Sequence, residues 1–582
     1  MGVSTDSAAA STEEAPGSAI PQVPRRLEFP GRRVAGAIRR TVTDPARARD
    51  QLEIFADHRR FERRYGPMLR SVKARSDAPA TLVVSLSDWP FQLKMEGVLA
   101  KALELQGRRA VVLTEPTAGW ARRYFRTFGI ESLVTPDGYS SPGDATVAAR
   151  LAREALAETP TVQGLKAVTF NGAHVGIQAL SSVSRAFQQG RIDIADSAVR
   201  PVLERVLRQA VTSVLVAERL LDDVAPELVM FIERGYAGFG SISDVALDRG
   251  LNVIQYGHAG IHWHNALNLK RYTAETRRVH PHSLAASSWA TLRDLPWTPE
   301  RDRALEVEFD LRYGPGEKPP EAGLQTRPLR SPDEVRRQLG LDPGRKVAVV
   351  FSHILWDANL FYGDDLFEDQ EEWLVETVRA ACTNPHLDWI VKLHPANAYK
   401  AELGRELNDR VAISEAVGNL PPHVRLLDPE ADINTLSLFR VTDVGITIRG
   451  TIGMELPCLG VPVLTAGTGR YSGMGFTIDS SSREEYFARL ARLHEIKPLS
   501  EEEILLAKRH AYALFRLRPL RIESFGNQYM DAERLRTKTL GHNLELTITT
   551  PEELRSADDL RRFGEWAVDR SRLDYLVEAD EE

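Results

Sequence analysis

The chain has 582 residues and only two cysteines, Cys382 and Cys458. That scarcity excludes a disulfide scaffold and any Cys-rich zinc module, and it fits a reducing compartment in which both thiols are small core residues. Long apolar runs are missing as well: none approaches the ~18 residues a membrane span needs, the longer candidates being pieces such as Val211 to Ala217. The N-terminus, MGVSTDSAAASTEEAPGSAIPQVP, has no basic stretch followed by an apolar one. No secretory signal is expected there, and a cytoplasmic location is expected with it. Strong charge of one sign is absent too, since 74 Lys and Arg stand against 81 Asp and Glu for a net −7. A coat for nucleic acid is excluded on that ground.

What is present is an ordinary globular composition, 43% apolar and 27% charged, which excludes fibrous and wholly disordered classes. At ~150 residues per domain the length corresponds to roughly three or four domain equivalents, or two large domains with extensions. Residues 1–24 are Ala, Ser, Thr, Glu and Pro-rich and are expected to form a disordered tail. Residues 25–80 form a basic arm. Between Arg25 and Arg75, fifteen Lys or Arg face six Asp or Glu, about +9, in stretches that can make amphipathic helices. Two uses are open for it: packing on the domain behind it, or meeting an anionic lipid surface or polyanionic acceptor.

From Thr81 short apolar runs alternate with helical stretches: TLVVSL, the helix to Leu105, RRAVVLTE, another helix, IESLVTP. That grammar predicts a parallel α/β sheet. Residues 81–300 are read as one Rossmann-like domain, 301–343, rich in Pro, Gly and charge, as a linker, and 344–490 as a second Rossmann-like domain. A helical extension is expected over 491–582.

The chemistry concentrates in the second domain. DVGITI is a strand, Arg449 and Gly450 a turn, and a helix opens at Thr451. Unpaired N–H groups and the helix dipole suit a phosphate there, with Gly450 and Gly453 permitting close approach and Arg449 supplying charge. A plain N-cap would use the same Thr451. Glu455, one turn on, faces either a ribose or solvent. VKLHPAN places Lys392, His394 and Pro395 at a strand's C-terminal end, where ligands gather in open α/β sheets. Ser352 and His353 follow KVAVVF in the same way.

KLHPAN, with DINTLSLFRVTDVGITIRGTIGMELPCLGVPVLTAGTGRYSGMGFTID, resembles bacterial capsular polysaccharide biosynthesis proteins, GT-B-type enzymes that include capsule transferases using CMP-linked Kdo. The resemblance covers the C-terminal domain, and in the N-terminal one it is carried by ERGYAGFGSISDVALDRGLNVIQYGHAG. It departs at Arg449-Gly450-Thr451, where similar proteins often have Ser-Thr. It implies two Rossmann-like domains facing a cleft, a nucleotide-sugar donor on the C-terminal side held by Ser352, His353, Lys392, His394, Pro395, Arg449, Gly450, Thr451, Gly453 and Glu455, and a polysaccharide or lipid-linked acceptor on the other. No cofactor and no metal are expected. The GDD at Gly363 to Asp365 is read as part of a solvated helix start, and His258, His262 and His264 lack a carboxylate partner for zinc.

The general base is sought at strand ends facing the cleft: Asp88, Glu233 and His258. The activity implied is metal-independent glycosyl transfer from a CMP- or UDP-linked donor to a surface polysaccharide or glycolipid, at the membrane periphery if the arm binds lipid. Phosphotransfer from a CDP-polyol, UDP-sugar epimerisation, and a non-catalytic polysaccharide or export scaffold are the alternatives.

Overall fold

A computed structural model of the protein describes residues 45–258, 266–314, 327–356, 360–394, 408–527 and 544–577. The expected tail, the first part of the arm, Pro395, His262 and His264 lie outside the described residues. Only the backbone of His258 is described, as the last residue of a strand.

Two doubly wound α/β domains are present, as the alternation predicts. In the first, β1 (Ala80–Ser85), β2 (Arg109–Thr114), β3 (Leu133–Val134), β4 (Leu228–Phe231), β5 (Asn252–His258) and β6 (Ala266–Tyr272) form the sheet. Its order is β3-β2-β1-β4-β5-β6, parallel as far as β5, with β6 antiparallel. Inside β1, Leu82 and Val84 face one helical layer and Val83 the other, so apolar residues run continuously, as in any strand buried on both faces. In the second domain β7 (Lys346–Phe351), β8 (Leu387–Lys392), β9 (Val424–Leu427), β10 (Val444–Thr447), β11 (Val463–Thr465) and β12 (Ile478–Asp479) lie in the order β9-β8-β7-β10-β11-β12, all parallel. Strand order reverses between β1 and β4 in one domain and between β7 and β10 in the other, and such switch points open a crevice at the strands' C-terminal ends.

Three expectations about organisation are corrected. The expected linker contains the helices Pro299–Tyr313 and Pro332–Leu339. Leu305, Phe309, Tyr313 and Val335 are buried in the second domain's core, and of its charged residues Glu308 is buried with them and Arg312 turns inward to Glu455. The C-terminal extension divides. The helix Glu501–Tyr512 packs on the second domain, whereas β13 (Leu520–Arg521) joins the first sheet beside β6 and Phe563 and Trp566 of the helix Asp558–Val568 enter the first domain's core.

The GDD loop is the third correction. Phe361, Tyr362 and Phe367 are buried, and Leu360, Phe361 and Tyr362 pack among Leu180, Val183, Leu203 and Leu207 of the first domain. Arg278 donates to the carbonyls of Phe361 (3.1 Å) and Gly363 (2.5 Å) and pairs with Asp364 at 2.9 Å. Gly363 has φ +78°, and a Cβ there would lie 2.7 Å from the Thr468 carbonyl. The acidic loop does lead into a helix start, capped by Asp369, but it is also a clasp between the domains, its apolar residues hidden and Asp364 and Asp365 paired with Arg278 and Arg449.

Candidate active site

At the first switch point, Asp88 follows β1 and its Oδ1 accepts the Ala121 N–H at 2.8 Å, at the start of the helix Gly119–Thr127. This base candidate serves a helix start. Glu233 follows β4. Its Oε1 accepts from the N–H groups of Arg234 (2.6 Å) and Gly235 (2.7 Å) and from the Tyr362 hydroxyl across the clasp (2.6 Å). Three donors on one oxygen fix the carboxylate and leave Oε2 without a partner among the described residues. Burial and this carboxylate hold the Tyr362 phenol well above its ordinary range.

At the second switch point the His353 ring spans β7 and β10, its Nε2 2.9 Å from Thr447 Oγ1 and 3.3 Å from the Ile448 N–H. Accepting that N–H assigns the proton to Nδ1. Burial, helped by neighbouring cations, pushes His353 down to about 3. Ser352 Oγ donates to Asp409 (3.0 Å) and accepts the His394 N–H (2.8 Å), tying the loop after β8 to the one after β7. Lys392 ends β8, only 6% exposed. It meets no carboxylate among the described residues, and burial alone lowers it to about 8.

The turn after β10 differs from expectation. The helix Ile452–Cys458 has only seven residues, and Thr451 makes no side-chain cap. A Cβ on Gly453 would lie 2.0 Å from the Tyr471 hydroxyl, which donates to the Gly450 carbonyl at 2.8 Å, and one on Gly450 would lie 3.1 Å from the His353 ring. The clearance expected for a phosphate is filled by the chain's own side chains. Glu455 is fully buried, accepting from the Tyr313 hydroxyl at 2.6 Å and pairing with Arg312 at 2.9 Å. It faces the core, not a ribose. Arg449 is ion-paired with the buried Asp365 of the clasp.

The structure brings forward residues that the sequence did not single out. His280 and His282 lie after β6, with ring centroids 5.5 Å apart. His280 is 5.7 Å from the Tyr362 ring. Arg518 holds their loop through the Pro281 carbonyl (2.5 Å), and Lys270 and Arg518 share Asp574, at 3.0 and 3.7 Å. Each histidine uses Nδ1 as an acceptor, from the His282 N–H and from the Asn268 amide, which leaves both Nε2–H groups as donors. Burial and then Arg470 hold both far below the usual histidine range. Arg470 is the cation at the centre. Its Nε is buried without a hydrogen bond, its guanidinium makes no ion pair among the described residues, and burial lowers it to about 10. A buried charge without a partner is costly. A half-buried arginine without an ion pair has N–H donors to spare for an anion.

Among the described residues no group of three or more His, Cys, Asp or Glu is placed to hold a metal ion, and no helix is long and apolar enough to cross a membrane.

No family model matches the chain, and no curated protein does. Solved structures match at low similarity. The KpsC β-Kdo 2,4-transferase of Thermosulfurimonas dismutans aligns at TM-score 0.29 and 17% identity over 49% of this chain and 79% of that one. The UDP-GlcNAc 2-epimerase of Neisseria meningitidis, bound to UDP-GlcNAc, aligns at 0.22 and 13% over 79% and 99%. The spinosyn rhamnosyltransferase SpnG aligns at 0.24 and 12% over 75% and 95%. At such scores the fold rests on this chain's own strand order.

Proposed function

We propose that the chain is a GT-B-type glycosyltransferase, moving a sugar from a CMP- or UDP-linked donor to a surface polysaccharide or glycolipid acceptor in the cleft between the two switch points. The observation that carries this is the half-buried Arg470, its Nε enclosed and its guanidinium without an ion pair among the described residues, near enough to His280 and His282 for its charge to lower the pKa of both. Departure of a nucleotide phosphate leaves negative charge, and preorganised donors stabilise charge that develops there. Ser352, His353, Lys392 and His394 line the donor side of the second sheet. Glu233 receives the acceptor proton on Oε2 while the acceptor oxygen bonds the anomeric carbon. The bond from that carbon to the phosphate oxygen breaks, and its electron pair leaves with the nucleotide toward Arg470. Tyr362, which belongs to the clasp, keeps Glu233 oriented only when the domains are engaged.

The test is calorimetric titration of CMP, CDP, UDP and inorganic phosphate, followed by assay of nucleotide release from matching sugar donors with and without glycan acceptor. Binding of one nucleotide and acceptor-dependent release of it support the assignment. Release without acceptor points to epimerisation or hydrolysis instead, and no binding of any of the four overturns it in favour of a scaffold.

A further inference from the structure

The helix Pro45–Ser71 separates its chemistry cleanly. Ile54, Phe61, Tyr65, Met68 and Leu69 are buried in the first domain's core, while Arg59, Arg60, Arg63 and Arg64 are exposed. The neighbouring helix Gly119–Thr127 is joined to it by Trp120 Nε1 to Gln51 (3.1 Å) and Tyr124 to Asp57 (2.6 Å), and adds exposed Arg123 and Arg126. Arg59, Arg63, Arg123 and Arg126 make no ion pair among the described residues. The carboxylates nearby are Glu53 on the same helix, Asp57 at 3.8 Å from Arg60, Glu62 at 3.9 Å from Arg70 and Glu545 at 4.0 Å from Arg64.

Apolar groups stand among these charges. Leu52 is 70% exposed and Phe55 43%, and the guanidinium groups of Arg59 and Arg123 lie 5.8 and 5.9 Å from the Phe55 ring. An exposed aromatic ring and leucine among exposed arginines make a two-part surface: charge for an anionic layer, apolar groups for what lies beneath it.

We propose that this face docks the protein on an anionic lipid bilayer, its arginines at the level of the headgroup phosphates and Leu52 and Phe55 inserted at the acyl boundary. A polyanionic glycan would use the same arginines but has no use for a leucine exposed to this extent, which decides between the two. The proposal is independent of the transferase assignment, since none of these residues belongs to the cleft.

The test is co-sedimentation of the full chain with vesicles of phosphatidylcholine alone or mixed with phosphatidylglycerol, at low and high salt. Wild type is expected on the mixed vesicles only, and to be released by salt. Combining Arg59→Glu, Arg63→Glu, Arg123→Glu and Arg126→Glu should reduce that binding by about tenfold or more. Leu52→Ser with Phe55→Ser should reduce it severalfold while salt sensitivity remains. Circular dichroism melting checks that the variants are folded, as expected for unpaired exposed side chains. Equal binding to both vesicle types, or unchanged binding of the arginine variant, overturns the proposal. So does the glycan outcome, in which a soluble anionic polysaccharide binds the serine variant as well as wild type and vesicles are not bound.

Discussion

Cations drawn into the interior, fully or partly, form two populations. Lys94 meets Asp57 at 2.8 Å, Lys101 meets Glu104 at 2.5 Å, Lys270 meets Asp574 at 3.0 Å and Arg312 meets Glu455 at 2.9 Å. Lys392 and Arg470, at the cleft end of the second sheet, have no such partner among the described residues. The paired cations tie helix to helix (Lys94, Arg312), brace one turn of a helix (Lys101) or hold the C-terminal segment to β6 (Lys270), and their charge is cancelled within the fold. The unpaired ones lower ligand-free stability at neutral pH, and an incoming anion recovers that loss.

Removing a carboxylate from the paired population should have the largest effect. Asp574→Ala strands Lys270 and Arg518 and should cost ~3 to 5 kcal/mol in denaturant unfolding, as breaking a buried pair does. A loss below ~1 kcal/mol would erase the distinction between the populations.

Lys392→Met should act in the opposite direction. Burial lowers Lys392 to about 8 in the folded chain, from the usual 10.5. Below pH 8 both folded and unfolded chains hold the proton and the penalty is complete. Between about 8 and 10.5 the unfolded chain holds more, so wild-type stability rises with pH. The methionine variant lacks that contribution and should be more stable at pH 7 by up to ~3 kcal/mol, converging with wild type as pH approaches 10.5. A variant less stable than wild type at pH 7 without anions would mean that Lys392 is structural.

Tyr362→Phe removes a hydrogen bond to a carboxylate and should cost ~1 to 2 kcal/mol. It should lower kcat more than it raises KM for the donor, because Glu233 loses its orientation while the phosphate site is untouched. An equal effect on donor affinity would place Tyr362 in binding.

How much of this was legible in the sequence follows the same division. Runs such as TLVVSL and KVAVVF gave their strands directly, since apolar periodicity is local, and Glu233, Ser352, His353 and Lys392 could be placed at strand ends because those ends are located without knowing what packs on them. Residues whose role depends on distant chain were misread or missed. Glu455 looked open because its partners Arg312 and Tyr313 lie in what composition marked as linker. Gly453 looked like room for a ligand because Tyr471, which fills that room, returns from eighteen residues later. His280-Pro281-His282 gave no periodic signal, and its placement depends on Arg518 and Asp574 after the chain has crossed back to the first domain. The Pro between two histidines was the one local clue.

The most direct test of the central claim, that Arg470 is an anion site waiting for a ligand, is one titration of CMP and UDP into wild type and Arg470→Met, with each protein's ligand-free melting temperature recorded alongside. The expected result is loss of ~1.5 to 3 kcal/mol of nucleotide affinity, as for a hydrogen bond to a charged group, with no fall in melting temperature. Wild-type affinity in the variant, or a variant that unfolds without ligand, would contradict it.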